Sequence, residues 1–428
     1  MNKLFLSFVL SVLFSPSLFP QQFTSPQIEG YFSEFDSICQ ADGGRLCGIN
    51  LRAPFLFVTP ERKVYANVSD VEGYLKPCGS LFVGSFPEEL NPANSTIDFG
   101  GKHWAMVMLP VPEERFARQS LCMHEVFHYW QDSLHLPLHS YQNNHLEEKA
   151  ARLYLQLEWN ALDKALDADD ASRHRHLLAA LSFRAYRHSL FPDKVQDELA
   201  FEQDEGLPQY VGMTLAARSP EEWMAELHRS KEEYAQKDNL VRTFAYHSGA
   251  LYGFFLEQKE PDWLARFHDG DDLGVLLQKA YALSLPNDTE AYVDSVRAAY
   301  DYASLLAQET AREEERNAWI ARQKTIFLSP ETLTLPLSSI QMSFDPNGVK
   351  PLGDLGTLYT RIRLVDDWGI LEVRQGGSLI TPDWRFIRIP CPTTPQGNVI
   401  ETADWRLELN ANYHCVPDTT GGFRVVRE

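Results

Sequence analysis

Hydrophobic periodicity changes twice along this chain, and those changes limit the architecture more than any other feature of the sequence. From about residue 28 to 116 the segments LRAPFLFVTP, KVYANV, SLFVGSFP and HWAMVMLP are rich in β-branched and aromatic residues and broken by Pro, Gly and Asn, which predicts short strands and turns. From Glu114 to about Lys324 apolar residues recur at helical spacing, as in RQSLCMHEVFHYWQ and HLEEKAARLYLQLEWNALDKAL. Beyond Phe327 alternation returns in TLYTRIRLV, GILEVR, WRFIRI and WRLELN. The pattern predicts an α+β chain: a small N-terminal β-rich lobe over 23–116, packed on a mostly helical domain over 117–325, then a separate all-β, sandwich-like domain over 326–428.

Composition narrows the function classes. The 428 residues are 44% hydrophobic and 23% charged, an ordinary globular balance at a length that calls for more than one core. Asp and Glu total 59 against 39 Lys and Arg, a net charge of −20 that repels nucleic acid and anionic lipid, so neither is an expected partner. The acidity sits in the first two parts, because residues 326–428 hold only 12 of the acidic residues against 9 basic ones.

The one long apolar run, Leu4 to Phe14, follows Lys3 and precedes Ser15-Pro16-Ser17, the layout of a secretory signal and too short to span a bilayer comfortably. A signal over 1–22 predicts an exported, periplasmic or secreted protein with no other membrane attachment. All six cysteines follow it, and an even count in an exported chain predicts disulfides, with spacing favouring Cys39–Cys47 and Cys391–Cys415 and leaving Cys78 and Cys122. No CxxC pair is present, which argues against a cysteine metal site or a thioredoxin-like redox site.

The first helix of the central part contains His124-Glu125-Val126-Phe127-His128. Residues four apart on a helix share a face, so this HExxH sequence offers two imidazoles to one metal ion, with Glu125 placed to act on a water beside it. A catalytic zinc needs a third protein ligand and an open position. The metzincin solution fails, since Gln131 and Leu134 stand where Gly and His are required and His135 is out of phase. A later carboxylate is therefore expected. Glu147, with Glu148 beside it, opens an amphipathic helix eighteen residues on; Glu205 stands in the segment DEGLPQY.

HEVFHYWQ followed by DEGLPQYVG resembles the gluzincin zinc metallopeptidases, mainly over residues 100–260. The resemblance implies a gluzincin-like helical domain, Zn²⁺ as cofactor, His124, His128 and Glu205 as ligands, and Glu125 as general base for hydrolysis of peptide bonds. Glu147 and Glu148 then become carboxylates that could orient an imidazole. The chain departs from the family at Pro208, where Ala is usual, and Pro is tolerated in a first helical turn. The Gly-x-Met-Glu-Asn segment that anchors a substrate amino terminus in aminopeptidases of the aminopeptidase N type is missing, with only Gly100 to Met106 in its place, so endopeptidase action is preferred.

Electrophilic help for the tetrahedral intermediate is expected from Tyr246, ahead of His247 and Tyr252 in the same helix. The strand HWAMVMLP is a candidate edge for pairing with an extended substrate. Glu158, Arg184 and Arg187 are expected to form a buried ion pair between helices. The partner is a peptide or protein substrate, with basic peptides favoured by the acidic first two parts. The alternative is an exported glycan- or peptide-binding protein on a metallopeptidase-like fold, with a vestigial zinc site or a structural one closed by His145 or His135.

Overall fold

The computed structural model describes residues 23–428 except 89, 236–239, 346–347, 392–393 and 420; the signal read in residues 1–22 lies outside the described residues. The chain divides into a unit ending at Glu309 and a second unit starting at Thr310.

The first unit opens with helix α1 (Ser25–Asp42), where strands and turns were expected from residue 28. Ile28, Phe32, Phe35 and Cys39 recur at helical spacing and are its buried face. Thr24 caps its start by accepting from the Gln27 backbone N–H, Pro follows in the first turn, and Gly43 ends it at φ 58°. Phe32 and Phe35 pack on Phe55 and Phe57 of the sheet behind, at centroid distances of 5.0 to 6.1 Å. That aromatic cluster is what the β-like composition of this stretch builds.

The sheet consists of β1 (Phe55–Val58), β2 (Lys63–Ala66), β3 (Lys76–Cys78), β4 (Leu81–Ser85), β5 (Ser95–Phe99) and β6 (Lys102–Met108), in the order β3-β4-β2-β1-β6-β5. β1 and β6 run parallel and the other pairs antiparallel. Phe55, Phe57, Ala105 and Val107 join the helical core, while the alternate residues Leu56, Val58, Trp104 and Met106 form a smaller cluster on the opposite face. HWAMVMLP is thus an interior strand, buried on both faces, and β5 is the edge beside it.

The helices are α2 (Arg115–Trp130), α3 (Lys149–Leu166), α4 (Asp170–Leu190), α5 (Val195–Phe201), α6 (Leu207–Ala216), α7 (Pro220–Ala235), α8 (Phe244–Lys259), α9 (Leu273–Ala280), α10 (Thr289–Val296) and α11 (Tyr302–Phe327). None of the described helices is long and apolar enough to cross a membrane. Between α5 and α6 the chain widens into one π-helical turn, Glu202–Gly206. The expected buried ion pair is a larger network: Arg187 is bonded to Glu158 and, at 2.7 Å, to Glu198, while Arg184 holds Glu202 at 2.6 Å. These charges survive burial because each is hydrogen-bonded, and they fasten the π turn to α3 and α4.

The second unit begins within α11 and is β-structured beyond it. Strands β7 (Thr332–Pro336), β8 (Gln341–Phe344), β9 (Val349–Pro351), β10 (Thr357–Tyr359), β11 (Ile362–Asp366), β12 (Gly369–Val373), β13 (Ser378–Ile380), β14 (Phe386–Pro390), β15 (Val399–Glu401), β16 (Trp405–Leu409), β17 (Tyr413–Pro417) and β18 (Phe423–Arg427) form two sheets. Their orders are β17-β18-β7-β14-β13-β10-β9 and β15-β16-β12-β11-β8. Leu333, Leu335 and Ile387 from the first meet Leu364, Leu371 and Trp405 from the second in one core. The expected Cys39–Cys47 and Cys391–Cys415 disulfides are not formed in the structure; Cys39 and Cys47 lie buried in the core as small apolar side chains.

Candidate functional site

Helix α2 carries the first motif. Glu114 caps it, accepting from the Phe116 and Ala117 backbone N–H groups at 2.8 and 2.7 Å, which holds its carboxyl below the usual range. Met123, Val126 and Phe127 are fully buried, leaving His124, Glu125 and His128 to one wall of a cavity of about 1080 Å³. The π turn supplies the opposite wall. Gly206 lets α8 come in backbone to backbone: a Cβ at Gly249 would lie 2.3 Å from Gly206 Cα. That approach seats Tyr246 of α8 beside Glu205.

His124, His128 and Glu205 come together as a group that could hold a metal ion. The two Nε2 atoms are 3.1 Å apart, and Glu205 Oε2 lies 3.3 Å from that of His124 and 3.6 Å from that of His128. A tetrahedral ion with bonds of about 2.0–2.1 Å requires ligand atoms roughly 3.3 Å from one another. The donor triangle therefore has the size of one tetrahedral face. Against burial, which lowers it, Glu205 raises His128 to about 9, and the two histidines, against burial, hold Glu205 well below the usual range.

Gln131 at the end of α2 is 2% exposed, and its Oε1 accepts from His128 Nδ1–H at 2.6 Å, leaving Nε2 to the triangle. Glu125 is 5% exposed; burial pushes its carboxyl up, and the nearby Glu205 charge adds to the shift. The Tyr246 ring stacks on His124 at 5.6 Å and 9°, and burial together with the adjacent Glu205 keeps its hydroxyl protonated far above the usual phenol range.

Other residues singled out in the sequence stand elsewhere. Glu147 and Glu148 are outside the group. His247 is in the core, bonded to Ser230 Oγ at 2.9 Å, and Tyr252 donates to Glu158 at 2.7 Å; neither lines the cavity. His145 is bonded to Glu198 at 2.6 Å, and neither it nor His135 joins the metal-type group. Three features were not read from the sequence. Besides Gln131, the edge strand β5 brings Ser95 and Thr96, with the preceding Asn94, to the cavity, and Asp204 lines it next to Glu205. Burial raises Asp204 to about 7.

Comparison with protein-family models, with curated proteins and with solved structures finds no match.

Proposed function

We propose that this chain is an exported zinc metallopeptidase of the gluzincin kind, acting within polypeptide chains rather than at their amino termini. The observation that carries the reading is the His124–His128–Glu205 triangle, sized for a tetrahedral ion, with buried Glu125 beside it on the wall of a cavity large enough for a peptide segment. Two imidazoles and one carboxylate are a catalytic zinc set that leaves a coordination position open. Zinc there supplies Lewis-acid polarisation of the scissile carbonyl and makes water more acidic.

The chain's own residues do the rest. Glu125 takes the proton of the attacking water and passes it to the nitrogen of the leaving amine, so that one carboxylate serves as base and then as acid. Its low-dielectric surroundings suit that exchange, because they bring the carboxyl closer to the working pH. Tyr246 keeps its proton and donates to the oxygen that gains charge as the carbonyl becomes tetrahedral. An extended substrate runs along the open edge of β5, in place of the interior strand HWAMVMLP.

The test is purified protein loaded with zinc and offered an unbiased peptide library, alongside Glu125→Gln. Wild type should cleave internal bonds and lose that ability to a chelator. The variant should retain about one zinc per chain and lose activity by about a thousandfold. A Glu125→Gln protein with full activity overturns the mechanism.

A further inference from the structure

Asp204 is 3% exposed, lines the cavity, and precedes the Glu205 of the metal-type group. Its two oxygens are treated differently. Oδ2 accepts the His139 backbone N–H at 2.9 Å, whereas Oδ1 accepts no hydrogen bond and stands 3.8 Å from His139 Nδ1, beyond bonding distance. A buried carboxylate oxygen with no donor costs the fold free energy that a binding partner can return.

The cationic groups that act on Asp204 are the imidazoles of His139 and His128. Lys194 is engaged by Asp197 at 3.0 Å and Arg229 by Glu226, while His139 turns Nε2 to Asp269 at 3.1 Å. Lys194 and Arg229 thus balance other carboxylates. The His139 side chain, 3.8 Å from Oδ1, is 35% exposed, and exposed side chains change rotamer readily.

We propose that Asp204 is the specificity residue of this site and that its substrates are peptides with a Lys or Arg side chain flanking the scissile bond, whose charged head supplies the donor Oδ1 lacks. The proposal rests on the peptidase reading above. A charge-assisted hydrogen bond in a water-poor cleft is the strong kind. The net charge of −20 adds long-range attraction for such peptides.

The experiment uses the zinc-loaded full chain and quenched fluorescent peptides that differ at one position, Lys, norleucine or Glu, placed in turn on each side of the cleaved bond. Wild type should favour Lys over norleucine by about tenfold or more in kcat/KM on one side. Asp204→Asn, which keeps an acceptor for the His139 N–H, should bring that ratio close to one while its zinc content stays at the wild-type level. Equal rates on Lys and norleucine, an undiminished ratio in the variant, or loss of zinc from it overturns the proposal.

Binding separates the two readings. Labelled Lys and norleucine peptides titrated into Glu125→Gln and followed by anisotropy should show the same preference without hydrolysis. If wild type cleaves nothing, the peptidase reading fails, and tighter binding of the Lys peptide still sustains the cation site. If it cleaves without a charge preference, only the specificity proposal fails.

Discussion

Gln131 Oε1 accepts a hydrogen bond from His128 Nδ1 at 2.6 Å, in a position where Gln131 is 2% exposed. The bond fixes a proton on Nδ1 and turns Nε2 toward His124 and Glu205, so an amide here does what a carboxylate or carbonyl does behind metal-binding histidines in general. Gln131→Ala should weaken zinc binding by about tenfold or more in competition with a chromogenic chelator, and Gln131→Glu should restore it. Unchanged affinity in the alanine variant would remove Gln131 from the site.

The two carboxylates that competed for the third position are separable by metal analysis. Glu205→Ala should purify with little zinc, since two imidazoles alone leave an incomplete set. Glu147→Ala should keep it, because Glu147 lies outside the ligand group. The reverse result would move the metal site away from the π turn.

Close approach at Gly206 and Gly249 is a packing requirement with a catalytic reading. Gly249→Ala puts a methyl 2.3 Å from Gly206 Cα, forcing α8 and the π turn apart. We expect a loss of about 1–3 kcal/mol in stability, the usual result of overpacking, together with weaker metal binding because Glu205 moves with the turn. Chemical denaturation and zinc titration of the same preparation check both. A variant that loses stability but binds zinc normally would mean that the turn is held by Arg184 and Glu202 alone.

His247 predicts part of the acid sensitivity. Burial lowers it from 6.5 to about 3, against Trp159 at 4.9 Å and with Nε2 lacking a partner. Between those values the unfolded chain takes up a proton that the folded chain refuses. This contribution is therefore complete above pH 6.5 and is lost as pH falls toward 3, at up to about 1.4 kcal/mol per pH unit. Urea midpoints from pH 7 to 4 should fall less steeply for His247→Gln than for wild type. Parallel curves would show that His247 already carries its proton in the fold.

Much of this was legible because periodicity records which face is buried. The HExxH helix and the alternating strands of the second unit both read correctly, the latter seen in the in-out burial of IRLVD and WRLEL. Glu205 drew attention through the glycine after it, and the structure gives the reason, which is helix contact and not metal chemistry. Helix α1 was missed because its aromatic residues outweighed signals that were present, Thr24, Pro26 and Gly43. Gln131 and Asp204 carried no local signal at all. The second owes its role to His139, 65 residues earlier, a proximity that only the folded chain creates. The edge of the sheet was likewise invisible, although HWAMVMLP, apolar on both faces, has the pattern of an interior strand.

β5 ends the sheet with a row of backbone groups that no described strand pairs. Such an edge ordinarily invites other copies of the chain to add on and aggregate. Here its first residues, Ser95 and Thr96, border a cavity shared with α2, α6 and α7, so a strand that pairs with this edge meets the cavity as well. The edge that could extend the sheet is thereby the one that leads to the wall carrying His124 and Glu125.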